Sequence, residues 1–230
     1  MIRDFEDIEP HNYLESSRVI PNFIGHRIAT QRCDPVEAVM YEYLLAGNGL
    51  LLKAKRDEFT ASLPLAHREI KGLPEAFVGI RWHRPRIRPT LWQEILEHAR
   101  NSHSASEFKE DVYLIYWHKV RQTWRWRPAG RDSSWAATIA DDKLPEYAEA
   151  CIELHTHPPG ALNFSGADDR DESGKFRIFG ILVDVHDKPK IRFRCGVYDH
   201  FVRIPASWIS VLPDGILDLN EIESLLQVML

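Results

Sequence analysis

The pattern of apolar and polar positions is sharpest in the second half of the chain. Val112 to Trp117 is a dense apolar and aromatic run, and Val120 to Arg127 alternates basic residues with Trp124 and Trp126, which predicts two neighbouring strands. Cys151 to His157 predicts another, with Ile152, Leu154 and Thr156 on one face and Cys151, Glu153, His155 and His157 on the other. Phe176 to Val185 and Lys190 to Val197 are β-rich runs joined by His186-Asp187-Lys188-Pro189, and a further strand is expected around Phe201 to Ile204. Helical spacing occurs from Thr90 to about Arg100, where Thr90 and Gln93 resemble a capping box and Leu91, Ile95 and Ala99 recur on one face. Leu144 to Glu149 predicts a short helix or turn, and Asn220 with Glu223 predicts the cap of a C-terminal helix whose apolar face is Ile222, Leu225, Leu226 and Met229.

The first part of the chain is less regular. Asp34-Pro35 suggests a helix start, since Asp can cap and Pro suits the first turn. Tyr41 to Leu52, interrupted by Gly47-Asn48-Gly49, and then Phe59 to Leu65 predict a small β element. The segment Arg81 to Pro89 holds two prolines and four arginines, a composition for an extended connection rather than a helix interior. The organisation expected is therefore an N-terminal α+β extension over residues 1–82 and a main domain over 83–230. In the second part strands and helices interleave, which predicts an α/β fold, a central mixed sheet flanked by helices.

Composition narrows the function classes. The 230 residues, 44% hydrophobic and 27% charged, are ample for a real core. A formal charge of −5 speaks against a general nucleic-acid binder, which needs a basic surplus. Met1 to Pro10 carries acids where a secretory signal needs a basic end, and no later run is long enough to span a bilayer, so the expectation is a cytoplasmic protein with no membrane partner. Cys33, Cys151 and Cys195 are widely spaced with no C-x-x-C pair, so buried free thiols are expected rather than disulfides or a Cys-rich zinc site.

The candidate chemistry lies between Glu153 and Asp168. Two histidines one residue apart on a strand, His155 and His157, share a face about 6–7 Å apart, and their rings can converge on one ion. Pro158, Pro159 and Gly160 break the strand, and Ser165-Gly-Ala-Asp168 has the form of a helix start that would bring Asp168 back towards the histidines. Two imidazoles and one carboxylate leave the fourth position of a zinc ion, Zn2+, open, as in a catalytic site. Asp169, Asp171 and Glu172 read as a solvated first helical turn.

The pattern H-x-H-P, six residues, S-x-x-D is matched by His155, His157, Pro158, Ser165 and Asp168. In this the chain resembles the JAMM (JAB/MPN) metallopeptidases over roughly Thr90 to Trp208. The resemblance implies a cytidine-deaminase-like fold, zinc held by His155, His157 and Asp168, an oxyanion-stabilising hydroxyl on Ser165, and hydrolysis of a peptide or isopeptide bond in a protein substrate, often ubiquitin-like or a sulfur carrier. The stretch from Tyr43 through Leu73-Pro74 is similar to that of A-type proteins of the bacterial PRTRC cassette, which implies a ThiF-like partner. Relatives without ligands serve as binding scaffolds, and RadC-type DNA-associated proteins share the H-x-H-P-x-G stretch, so both stand as alternatives.

The family also expects a glutamate opening the strand after the first helix, as E-x-x-G-x-L. Glu110-Asp-Val-Tyr113-Leu-Ile115 departs from it, with Tyr113 placing a ring where the substrate groove would run. Glu107, Glu110 and Glu153 compete for the general base. Glu153 shares the histidines' strand and is better placed to orient an imidazole, whereas Glu110 opens the neighbouring strand and is the preferred base.

Overall fold

The computed structural model describes residues 22–102, 108–131 and 139–222. Glu107, and Glu223, Leu225, Leu226 and Met229 of the expected C-terminal helix, lie outside the described residues. The first sheet comprises β1 (Ile24–Ile28), β2 (Tyr41–Ala46), β3 (Gly49–Lys55), β4 (Phe59–His67) and β5 (Gly79–Trp82) in that spatial order, with β1 parallel to β2 and the rest antiparallel. Gly47-Asn48 forms the two-residue turn between β2 and β3, and Gly49 holds φ of 123°, a value that excludes most side chains. Helix α1 (Pro89–Ser102) follows, then β6 (Val112–His118) and β7 (Thr123–Pro128). The two-residue strands β8 (Gly130–Arg131) and β9 (Ile139–Ala140) pair with each other, and α2 (Pro145–Glu149) leads into β10 (Ala150–Thr156). Helix α3 (Gly166–Glu172), β11 (Phe176–Val183), β12 (Lys190–Val197), β13 (His200–Ile204), a 3-10 turn at Ala206–Trp208 and β14 (Leu217–Asp218) complete the described chain.

The second sheet has the order β13-β12-β11-β10-β6-β7, with β14 added to β12. It is mixed: β10 and β11 are parallel, and β10 and β6 antiparallel. A parallel pair cannot be joined by a tight turn. The chain therefore leaves β10, crosses one face as α3 and returns as β11. No described helix is long and apolar enough to cross a membrane.

Both sheets contribute to one core. Phe59, Leu63 and Ile80 of the first sheet cluster with Trp92 and Ile95 of α1 and with Ile152, Leu154, Phe193 and Cys195 of the second. Each such side chain stabilises the fold by roughly 1.5–3 kcal/mol through burial. Arg56 ties the sheets further, its Nη1 donating to the carbonyls of Ala150 and Phe176 at 3.0 Å each. Strand β5 ends at Trp82, but the core runs across that point without a break.

Several local expectations are corrected. No helix follows Asp34, because its carboxylate accepts from Thr30 N and Thr30 Oγ1 (2.9 and 2.7 Å) and closes a turn behind it. Helix α1 starts at Pro89, one residue ahead of Thr90, since proline fits the first helical position. Cys33 is exposed, while Cys151 and Cys195 are buried. The register shift between Ala150 and Ile152 turns Cys151 into the core cluster with Ile152 and Leu154, away from the face assigned to it. Asn220 does not cap the last helix: its side-chain amide donates to Phe193 O and Ile204 O, and Asp218 Oδ1 accepts Asn220 N (2.9 Å) at the helix start instead. Burial pushes the Asp218 carboxyl above the ordinary carboxylate value, against the backbone N–H groups of Ala206 and Asn220 that donate to it.

Candidate metal centre

His155 lies on β10 and His157 just past its end, where Pro158-Pro159-Gly160 forces the chain off the sheet. Gly160 takes φ of 81° and donates its N–H to Asp184 Oδ1 (2.9 Å), while Ala161 N donates to Pro158 O (3.0 Å). The turn is thus pinned to the end of β11. Ser165 then caps α3: its Oγ accepts from Ala167 N and Asp168 N at 3.2 Å each, and Asp168 Oδ2 accepts from Ser165 N, a reciprocal capping box. The box fixes the Asp168 rotamer with its carboxylate facing back over β10.

His155, His157 and Asp168 are all buried, and one ligand atom from each lies within 4.8 Å of the others. This group can hold a metal ion. Asp168 Oδ1 stands 3.6 Å from His155 Nδ1, and Asp168 Oδ2 stands 3.6 Å from His157 Nε2. Bonds of about 2.0–2.1 Å in a tetrahedron put neighbouring donors about 3.3 Å apart, so these separations suit a zinc-sized ion. The outward nitrogens are also accounted for. His157 Nδ1 donates to Ala161 O (3.1 Å), which leaves the Nε2 lone pair turned inward. His155 Nε2 approaches Glu172 Oε1 at 3.4 Å, on the side away from Asp168.

The electrostatics follow the same geometry. Burial works against protonating His155, but the carboxylates of Glu172 and Asp168 outweigh it and hold its pKa above the ordinary imidazole value. Burial alone would raise Asp168, yet His157, His155 and the Ser165 N–H outweigh it and hold the carboxyl well below the usual range. Glu172 is only 2% exposed, and burial lifts its pKa in spite of His155 and Arg194. The reading of Glu172 as a solvated helix start is therefore corrected. The signal available was its spacing: Asp168 and Glu172 are four apart on one helix and share a face.

Of the glutamates considered as base, Glu153 is taken by cations: Arg177 Nη1 donates to it at 2.8 Å and Lys175 Nζ at 3.2 Å. Glu110 is buried, and strand register sets its position along β10. His155 pairs with Val112, Thr156 N donates to Asp111 O (2.9 Å) and Asp111 N donates to Thr156 Oγ1 (2.8 Å), so the same register brings Glu110 level with His157. Tyr113 does not enter a groove. It is wholly buried in the core cluster, its hydroxyl 3.0 Å from both Asp111 Oδ2 and His98 Nδ1, because odd-numbered positions of β6 face the core. The indoles of β7 serve the fold as well: Trp124 Nε1 donates to Pro85 O (2.6 Å) and Trp126 Nε1 to Glu94 (2.9 Å).

No family model matches the chain, and neither a curated protein nor a solved structure matches it.

Proposed function

We propose that the chain is a zinc-dependent hydrolase of the JAMM type, with a cytidine-deaminase-like domain, that cleaves a peptide or isopeptide bond in a ubiquitin-like or sulfur-carrier-like protein. The observation that carries the reading is the convergence of two imidazole nitrogens and one carboxylate, all buried, at spacings that suit a four-coordinate ion. The H-x-H-P and S-x-x-D spacing, with the capping box that aims Asp168, supports it.

Zinc held by His155, His157 and Asp168 would supply a Lewis acid that polarises a carbonyl and brings the pKa of water towards neutrality. Glu110 accepts the proton of the attacking water and returns it to the leaving amine. Ser165 donates to the developing oxyanion. Its two acceptor positions are occupied by Ala167 N and Asp168 N, so its own proton is the part left to give. A ThiF-like protein that handles the same carrier fits as a partner.

The test is zinc content together with hydrolysis of a panel of ubiquitin-like and sulfur-carrier fusions. About one zinc per chain, lost in His155→Ala and His157→Ala, and zinc-dependent cleavage of a panel member are expected. Full zinc in the His155→Ala/His157→Ala double variant overturns the ligand assignment. Stoichiometric zinc without cleavage of any fusion would favour a binding scaffold.

A further inference from the structure

A neutral imidazole carries one N–H and one lone pair, so a histidine that binds a metal must have its proton held at the other nitrogen. His155 lies between two carboxylates: Asp168 Oδ1 is 3.6 Å from Nδ1, and Glu172 Oε1 is 3.4 Å from Nε2. Asp168, whose other oxygen stands 3.6 Å from His157 Nε2, therefore lies on the Nδ1 side of His155 and Glu172 on the Nε2 side. Glu172 Oε1 is shut off from solvent and makes no full hydrogen bond among the described residues; His155 Nε2, at 3.4 Å, is the ring nitrogen it faces.

The carboxylate of Glu172 is not free to turn away. Its other oxygen, Oε2, accepts from Arg194 Nε at 2.6 Å. Arg194 Nη1 donates to Asp169 Oδ1 at 2.5 Å, and the guanidinium carbon lies 3.9 Å from the Phe164 ring centroid and 4.1 Å from that of Phe201. Phe164 immediately precedes the capping serine of α3, and Phe201 belongs to β13. Strand β12 thus supplies a cation that two rings and two carboxylates hold in place, and that cation holds Glu172 against His155.

We propose that Glu172, fixed by Arg194, is the positioning residue of His155: its carboxylate accepts from Nε2–H, keeps the ring proton on that nitrogen and so commits Nδ1 as the metal-binding atom. The proposal rests on the zinc reading above. Helix α3 then delivers a ligand, Asp168, and the brace for a second ligand, Glu172, from one face of a single turn. Loss of an outer partner of this kind weakens metal binding by about 10–100-fold in comparable sites.

The experiment uses the full chain, with Zn2+ affinity read by competition with a chromophoric chelator and the ring-nitrogen shifts of His155 read by 15N NMR. Two variants are compared, Glu172→Gln and the double variant Glu172→Leu/Arg194→Met. The double variant replaces a buried ion pair by apolar side chains of similar volume, a change that folded proteins tolerate, and cooperative thermal unfolding verifies it. The expected result is zinc binding about 10–100-fold weaker in the double variant, with a smaller loss in Glu172→Gln, which keeps an oxygen acceptor. In the wild type at alkaline pH His155 should carry its proton on Nε2, and zinc should shift Nδ1. Wild-type zinc affinity in both variants, or zinc bound through Nε2 of His155, overturns the proposal. A wild-type chain that binds no zinc overturns the metal reading and the brace together, whereas tight wild-type binding with indifferent variants overturns the brace alone. Should the double variant not fold, the nitrogen that zinc shifts in the wild type still decides.

Discussion

Ser165 has two roles that a single substitution would confuse, and the geometry separates them. As cap of α3 its oxygen accepts two N–H groups; as an oxyanion donor it would use its proton. Serine to alanine at an N-cap costs about 1 kcal/mol, and serine to glycine only a few tenths. A loss of about 1 kcal/mol multiplies the unfolded fraction by about five, which in a domain stable by roughly 5–15 kcal/mol leaves almost every molecule folded. Loss of an oxyanion donor instead lowers kcat by about 100–1,000-fold. Both Ser165→Ala and Ser165→Gly should therefore keep zinc and lose hydrolysis by about 100-fold or more, while only alanine lowers the unfolding midpoint appreciably. The assay pairs denaturant melts with kcat on a ubiquitin-like fusion that the wild type cleaves. Activity that tracks stability, with glycine near wild type, would falsify the donor role and leave Ser165 a helix cap.

Glu110→Gln should retain zinc and fold but abolish cleavage, because the amide keeps the shape and cannot take a proton; near-normal turnover moves the base elsewhere. Glu153→Gln should act on stability instead, costing about 3 kcal/mol by leaving buried Arg177 without its carboxylate, and an unchanged melt would contradict that ion pair. Burial would raise the Asp184 carboxyl, but Lys190 and the Gly160 N–H outweigh it and hold its pKa below the ordinary value. The stability this contributes is complete above the unfolded carboxylate pKa of about 3.9 and is lost as the pH falls through the lower folded value. Asp184→Asn should therefore flatten the acid limb of a stability-pH curve, and an unaltered limb would dissociate Asp184 from the Gly160 turn. Tyr113→Phe should cost about 1 kcal/mol through its two partly buried hydrogen-bond contacts without touching zinc content.

The buried group of His155, His157 and Asp168 was legible because it is local. Alternation put His155 and His157 on one face, the proline pair ended the strand, and a cap pattern brought Asp168 back, all within one short segment. The mixed α/β class was legible from the same periodicities. What escaped depended on partners distant in sequence. Glu172 is indistinguishable from a solvated acid until Arg194 on β12 is known to lie against it. Asp218 accepts Asn220 N at the helix start through one oxygen and Ala206 N through the other, and only the second, a contact between segments, is one that no local pattern encodes. Tyr113 was misjudged because a family comparison fixes the position of a residue but not the face it turns to, and on β6 that face is the core. Cys151 shows the limit of counting by twos, since one bulge reverses the alternation upstream of it.

The placement of the centre follows from strand direction. Strand β10 runs between a parallel neighbour, β11, and an antiparallel one, β6. Its C-terminal end therefore meets the C-terminal end of β11 and the N-terminal end of β6. The first contact provides support: His157 N donates to Leu182 O at 3.0 Å, and Asp184 holds Gly160. The second provides a carboxylate, because the chain entering β6 passes His157 with Glu110 level with it. A base drawn from β11 would have to come from Asp184, whose two oxygens are already held by Gly160 N and Lys190 Nζ. Glu153 lies two residues upstream of His155 and is occupied by Lys175 and Arg177. Among the carboxylates of these three strands, Glu110 at the start of β6 is the one that pairing register brings level with His157, which supports the proposed base independently of the resemblance.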